Sequence, residues 1–135
     1  MHAGPIYHLT TGPELRAGCT PEVYSPARLP EDGFVHCAGS PAVALSVATD
    51  YFRDAGTVYL LVIDPASLTA PLRFEAAAPI AGGGRAHLAQ ADRFPHVYGP
   101  IDRGAIVEAG PLATGPDGFA WPARFEPLED LLARI

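Results

Sequence analysis

Apolar and polar positions change period several times along this chain, and each change marks an element. Ile6-Tyr7-His8-Leu9 alternates as a half-buried strand does. Thr11-Gly12-Pro13-Glu14 has the Thr-x-x-Glu spacing of a capping box, which predicts a short helix to about Ala17. Pro21, Pro26 and Pro30 then predict irregular chain, because proline fixes φ and donates no hydrogen bond. Asp32-Gly33 turns the chain into a second strand, Phe34-Val35-His36-Cys37. Ser40-Pro41 starts a helix with an apolar stripe at Val43, Val47 and Tyr51, beside Ala44, Ala48 and Phe52, and Gly56 ends it. The run Val58–Ile63 does not alternate, so it predicts a central strand covered on both faces, stopped by Asp64-Pro65.

The second half continues with a strand over Leu72–Glu75 and a Gly/Ala/Gln-rich stretch over 76–93 that predicts a mobile loop. Phe94-Pro95-His96-Val97-Tyr98 precedes a Gly99-Pro100 break, Ala105–Ala109 reads as a further strand, and Asp117-Gly118 predicts a hairpin turn. Leu128, Leu131, Leu132 and Ile135 give a closing helix over about 127–134. Two strand–helix pairs followed by several strands predict a single α+β domain over 1–135, without internal repeat.

Charge narrows the function classes. Nine basic residues against fifteen acidic ones give a formal charge of -6, which disfavours bulk nucleic-acid binding. The longest apolar run is far short of the roughly 20 residues that span a bilayer. Met1–Pro5 has no basic cluster before an apolar segment, so the expected location is cytoplasmic. Cys19 and Cys37 have neither C-x-x-C nor Cys/His zinc spacing, and the expectation is two reduced thiols and no metal.

Candidate chemistry rests on histidine. Of five, His8, His36 and His96 fall in or beside predicted strands. An imidazole donates, accepts or carries charge near neutral pH, which suits ribose hydroxyls, phosphates and proton transfer; its bland role is a structural bond to backbone. His36 and Cys37 are neighbours on a strand and point to opposite faces, so a Cys37 nucleophile requires another base, such as His8 or His96. Glu75 ends a strand and is either a catalytic carboxylate or a solvated terminus, and Arg28, Arg73 and Arg103 either bind anions or balance charge. The Gly82-Gly83-Gly84 triplet lacks the lysine and Ser/Thr of a P-loop.

Ile6-Tyr7-His8-Leu9-Thr10-Thr11, Gly33-Phe34-Val35-His36-Cys37, Phe74-Glu75 and Phe94-Pro95-His96-Val97-Tyr98-Gly99-Pro100 resemble, in order, the blocks of the domain of unknown function family 952, from about residue 5 to 122. The chain departs from that pattern at Leu15, where tryptophan is usual, at Ala38, where serine is usual, and in a longer 76–93 stretch. No activity is assigned to that family. Its fold resembles that of the ADP-ribosyltransferases, which bind nicotinamide adenine dinucleotide (NAD) in a cleft between two small sheets. The resemblance implies a compact fold of two small mixed or antiparallel sheets with a few short helices.

It also implies roles. Tyr7-His8-Leu9-Thr10 resembles the strand whose histidine holds the nicotinamide ribose, and Tyr51 resembles the tyrosine that stacks on nicotinamide. His96 falls where those transferases place a catalytic glutamate, an exchange that favours a phosphate over an oxocarbenium ion, as in the related tRNA 2′-phosphotransferases. Glu75 restores a carboxylate if it reaches the cleft. The expected catalytic set is therefore His8, His36, His96 and Glu75, with Thr10, Cys37, Tyr51, Phe94 and Tyr98 binding NAD or an ADP-ribose-like nucleotide. Imidazolium binding of phosphate predicts affinity that falls between about pH 6 and 8. A non-catalytic nucleotide sensor and a Cys37 hydrolase are the competing readings; no protein partner is identified.

Overall fold

The first strand is enclosed on both faces, with Ile6, His8, Leu9 and Thr10 all buried, where alternation predicts a half-buried strand. In the computed structural model, which describes residues 4–76 and 93–135, β1 (Ile6–Thr11) pairs antiparallel with β4 (Val58–Ile63), and β4 pairs with β8 (Ile106–Pro111). The sheet order β1-β4-β8 makes the unalternating run Val58–Ile63 its central strand. Both of its faces are buried. One carries Ile6, Leu61, Ile63, Ile106 and Ala109; the other carries Leu9, Val58, Leu60, Val62 and Leu112.

Each face has its own cover. α3 (Pro41–Tyr51) and the hairpin of β9 (Ala113–Gly115) and β10 (Gly118–Ala120) lie on the Leu60 side. Ser40 caps α3, its hydroxyl accepting from the Val43 amide at 3.2 Å. The helix approaches the sheet through Ala44 and Ala48, both fully buried, while Val43 and Val47 flank them half-buried. The buried stripe is thus centred one residue later than predicted. Alanines at the contact let the helix lie closer to the strands than a valine row would allow.

The Leu61 side is covered by a second antiparallel sheet, β3-β6-β5, formed by β3 (Val35–His36), β5 (Leu72–Glu75) and β6 (Phe94–Val97). Its inward residues are Val35, Val97 and Leu72. α1 (Gly12–Gly18) and α4 (Leu128–Arg134) complete that core through Leu15, Leu128 and Leu131. The two sheets are joined at one corner, where Tyr7 and Ala38 exchange backbone hydrogen bonds of 2.9 and 2.8 Å.

The α+β class holds, but the two expected sheets become two three-stranded sheets and two ribbons, all antiparallel. One strand of the second ribbon lies in the segment predicted to be irregular: β2 (Val23–Tyr24) pairs with β7 (Ile101–Asp102), and α2 (Leu29–Asp32) follows β2. Pro30 permits α2 because it stands in the first turn, where its missing N–H would find no partner anyway. The capping box does not form. Thr11 stays in the β1 ladder opposite Val58, and Glu14 instead accepts from the Ala27 amide at 3.2 Å. Most of the predicted mobile loop, 77–92, lies outside the described residues. Among the described residues no helix is long and apolar enough to cross a membrane.

Candidate functional site

Because Val35 and Val97 face the core and pair with each other, their neighbours His36 and His96, also paired, stand on the outer face of the second sheet. Arg73 is the cross-strand partner of His96 on its other side. Glu75, Tyr98 and Phe34 share this face at the two-residue spacing of strands. The result is a cluster of aromatic and titratable side chains in which each imidazole has its own carboxylate.

Glu75 Oε1 accepts from His96 Nδ1 at 2.8 Å and from the Tyr98 hydroxyl at 2.6 Å. These two bonds hold the Glu75 carboxyl below its usual range, and the same bond raises the Tyr98 phenol above its own. An ionised carboxylate has no proton to give, so Nδ1 of His96 is the donor and Nε2 is left as the basic nitrogen. His36 shows the opposite tautomer: its Nε2 donates to Asp32 Oδ2 at 3.0 Å, leaving Nδ1 basic. Burial works against ionisation of Asp32, but hydrogen bonds from Arg28, at 3.1 Å, and from His36 outweigh it and lower its titration.

Burial also lowers the titration of His36, with Asp32 opposing and His96 reinforcing the shift. His36 therefore sheds its charge below the ordinary histidine range. A phosphate contact that depends on its imidazolium is therefore lost at lower pH than an unperturbed histidine predicts.

Phe34 ties the group together. Its ring stacks on His96 at 4.1 Å and 23°, and lies 4.7 Å from His36 and 5.3 Å from Tyr98. The two imidazoles are 5.8 Å apart, and the Arg73 guanidinium sits over the Tyr98 ring at 5.3 Å. Phe94, two residues before His96 on β6, follows the same side of the strand and is buried.

The other expected site residues stand elsewhere. Thr10 is enclosed in the core, its hydroxyl 2.9 Å from that of Tyr24, and is closed to a ribose. His8 lies beside Tyr24 and donates from Nδ1 to the His36 carbonyl at 2.7 Å. It touches the cluster through backbone, and burial drives its titration down to about 4, so it is neutral at physiological pH. Cys37 faces the apolar core and is 6% exposed; burial alone raises its thiol far above the ordinary range. The hydrolase reading requires Cys37 to face the cleft with a histidine within reach, and Cys37 is turned into the core instead. Tyr51 ends α3 on the far face of the central sheet, and among the described residues no hydrogen bond or ring contact joins it to the cluster. Among the described residues no group of three metal-ligating side chains converges.

Sequence reading missed Asp32 and Phe34. Phe34 was within reach, since it stands two residues from His36 in the predicted strand Phe34–Cys37. Asp32 was not, because its four-residue separation from His36 crosses the Gly33 turn and follows no strand period.

The family described as "Protein of unknown function (DUF952)" matches residues 9–109. Among solved structures, the crystal structure of protein CC0527 from Caulobacter crescentus is 27% identical, with a TM-score of 0.66 over 96% of this chain and 98% of that one. A double mutant of the same protein gives 26% and 0.66 over the same shares. Its solution structure gives 26% and 0.58 over 96% and 97%. No curated protein matches the chain.

Proposed function

We propose, for a chain that belongs to the DUF952 family of proteins of unknown function, that the outer face of the β3-β6-β5 sheet binds a nucleotide and performs acid–base chemistry on it. The observation that carries this reading is the pair His36 and His96, on hydrogen-bonded strands, each fixed in a single tautomer by its own carboxylate. A carboxylate on one ring nitrogen orients the imidazole and strengthens the other nitrogen as a base. Two such groups 5.8 Å apart can divide the work. One takes a proton from an attacking hydroxyl or water, and the other, protonated, returns one to the departing oxygen.

The resemblance to ADP-ribosyltransferases supports a nucleotide, ADP-ribose or NAD-type ligand, and the ring of Tyr98 suits a base. Among the reactions of such ligands, phosphoester chemistry fits better than glycosidic cleavage. Two imidazoles supply the acid and the base that phosphoester chemistry needs, whereas Glu75 offers an oxocarbenium ion one oxygen at most, since Oε1 accepts from two donors. The depth of His96, 3% exposed, favours a second reading in which the same face binds a nucleotide without turning it over. The cytoplasm, where such ligands occur, is the proposed location.

Calorimetry with AMP, ADP-ribose and NAD at millimolar concentration is the test. The expected result is heat from at least one, weakened about tenfold or more when His36 is replaced by Gln, since a lost hydrogen bond to a charged group is worth about 1.5 to 3 kcal/mol. No heat from any of the three contradicts the proposal. Incubating the bound nucleotide and following it by phosphorus NMR separates the enzyme from the sensor.

A further inference from the structure

We infer that Phe34 is a specificity-determining residue, whose ring occupies the seat on His96 that the planar heterocycle of the ligand takes when Phe34 swings aside. This rests on the reading of the histidine face as a nucleotide site. The geometry is that of a base on an imidazole: the two rings lie 4.1 Å apart and 23° from parallel, with His36 and Tyr98 as walls at 4.7 and 5.3 Å. A flat apolar ring of this kind fits the seat, whereas a sugar or a phosphate would leave the imidazole face uncovered.

Exposure shows that the carboxylate partner is open while the imidazole is shut. The Glu75 side chain is 35% exposed and that of His96 only 3%. Phe34, the ring lying against His96, is itself only half-buried, so its departure opens the face without emptying the core, which Val35 and Val97 hold from the other side. The backbone allows the movement. Phe34 stands one residue outside the paired segment Val35–His36 and follows Gly33, which has φ 82 and open space around the position of a Cβ. A glycine in that region turns at little steric cost, and it separates Phe34 from α2.

Two measurements on Phe34→Ala, with Phe34→Leu as the variant that keeps apolar bulk, test the inference. Diethyl pyrocarbonate acylates neutral imidazole, and peptide mass spectrometry reads the rate at His96 alone. Binding of AMP and of ribose 5-phosphate is measured by calorimetry. The expected result is acylation of His96 faster by about two- to tenfold, the weight of one aromatic pair in an equilibrium. AMP should bind tighter by a similar factor while ribose 5-phosphate, which has no ring for the seat, changes little. Unchanged acylation in both variants overturns the cover. Weaker AMP binding overturns the seat and makes Phe34 a fixed stacking platform. Faster acylation with no AMP binding in either variant or the parent contradicts the nucleotide reading and leaves Phe34 as a cover only.

Discussion

Replacing His96 by Gln is expected to reduce turnover of the nucleotide substrate by about a hundredfold to ten-thousandfold, the weight of one well-placed general acid or base. Gln retains a donor that can reach Glu75, so the outer face of the sheet keeps its hydrogen bond while losing the basic Nε2. Affinity should fall far less than turnover, because the second imidazole, His36, with its partners Asp32 and Arg28, is untouched. Glu75→Gln should give an intermediate loss of about ten- to a hundredfold, the usual effect of removing the carboxylate that orients a functional imidazole. Product formation followed by phosphorus NMR, with circular dichroism to confirm folding, reads both variants. Equal loss of affinity and turnover would make His96 a binding group and favour the sensor.

Acid should destabilise the fold through His8. Its titration in the folded chain lies at about 4 because burial excludes the charged form, against 6.5 for an ordinary histidine. Between those values the unfolded chain binds a proton that the folded chain refuses. The contribution of His8 is therefore complete above pH 6.5 and is lost as pH falls to about 4, on the order of 3 kcal/mol. The groups that face it are the Tyr24 ring from β2 and His36 from β3, and His36, also lowered by burial, adds loss in the same direction. The lowered carboxyls Asp32, Glu75, Asp102 and Glu126 act at more acid pH, below the ordinary carboxyl range. Urea unfolding at steps from pH 7.5 to 4.5 should show a steep fall for the parent and a shallower one for His8→Gln. Parallel curves would mean that His8 is solvated in the fold.

What the sequence disclosed, and what it withheld, follows from the range of the forces involved. Val58–Ile63 read as a central strand because continuous burial leaves a continuous apolar run. Ser40-Pro41 read as a helix start because the cap is local, and it forms. Thr11 and Glu14 satisfied the same kind of local rule and failed it, because a strand pairing on one side and the Ala27 amide on the other offered better partners. His36 and His96 were legible as candidates from their strands, but their pairing with each other is set by register across some sixty residues, which no local period encodes. The direction of a strand side chain is likewise relative. Alternation said that His36 and Cys37 part company, yet only the packing of Val35 and Val97 against the central sheet decides that Cys37 is the one turned inward. Thr10 follows the same logic: β1 is buried on both faces, so its hydroxyl meets that of Tyr24 in the interior.

The central claim is that a nucleotide binds at the paired imidazoles, and ring nitrogen NMR of the histidines during titration with ADP-ribose, AMP and NAD tests it most directly. The account predicts that the resonances of His36 and His96 move together and saturate with one of these ligands, with Nε2 of His96 and Nδ1 of His36 shifting more than the nitrogens already bonded to Glu75 and Asp32. Nδ1 of His8, held by the His36 carbonyl, should move little. Saturating binding that leaves both His36 and His96 unmoved, or no movement of any histidine with all three ligands, would contradict the account.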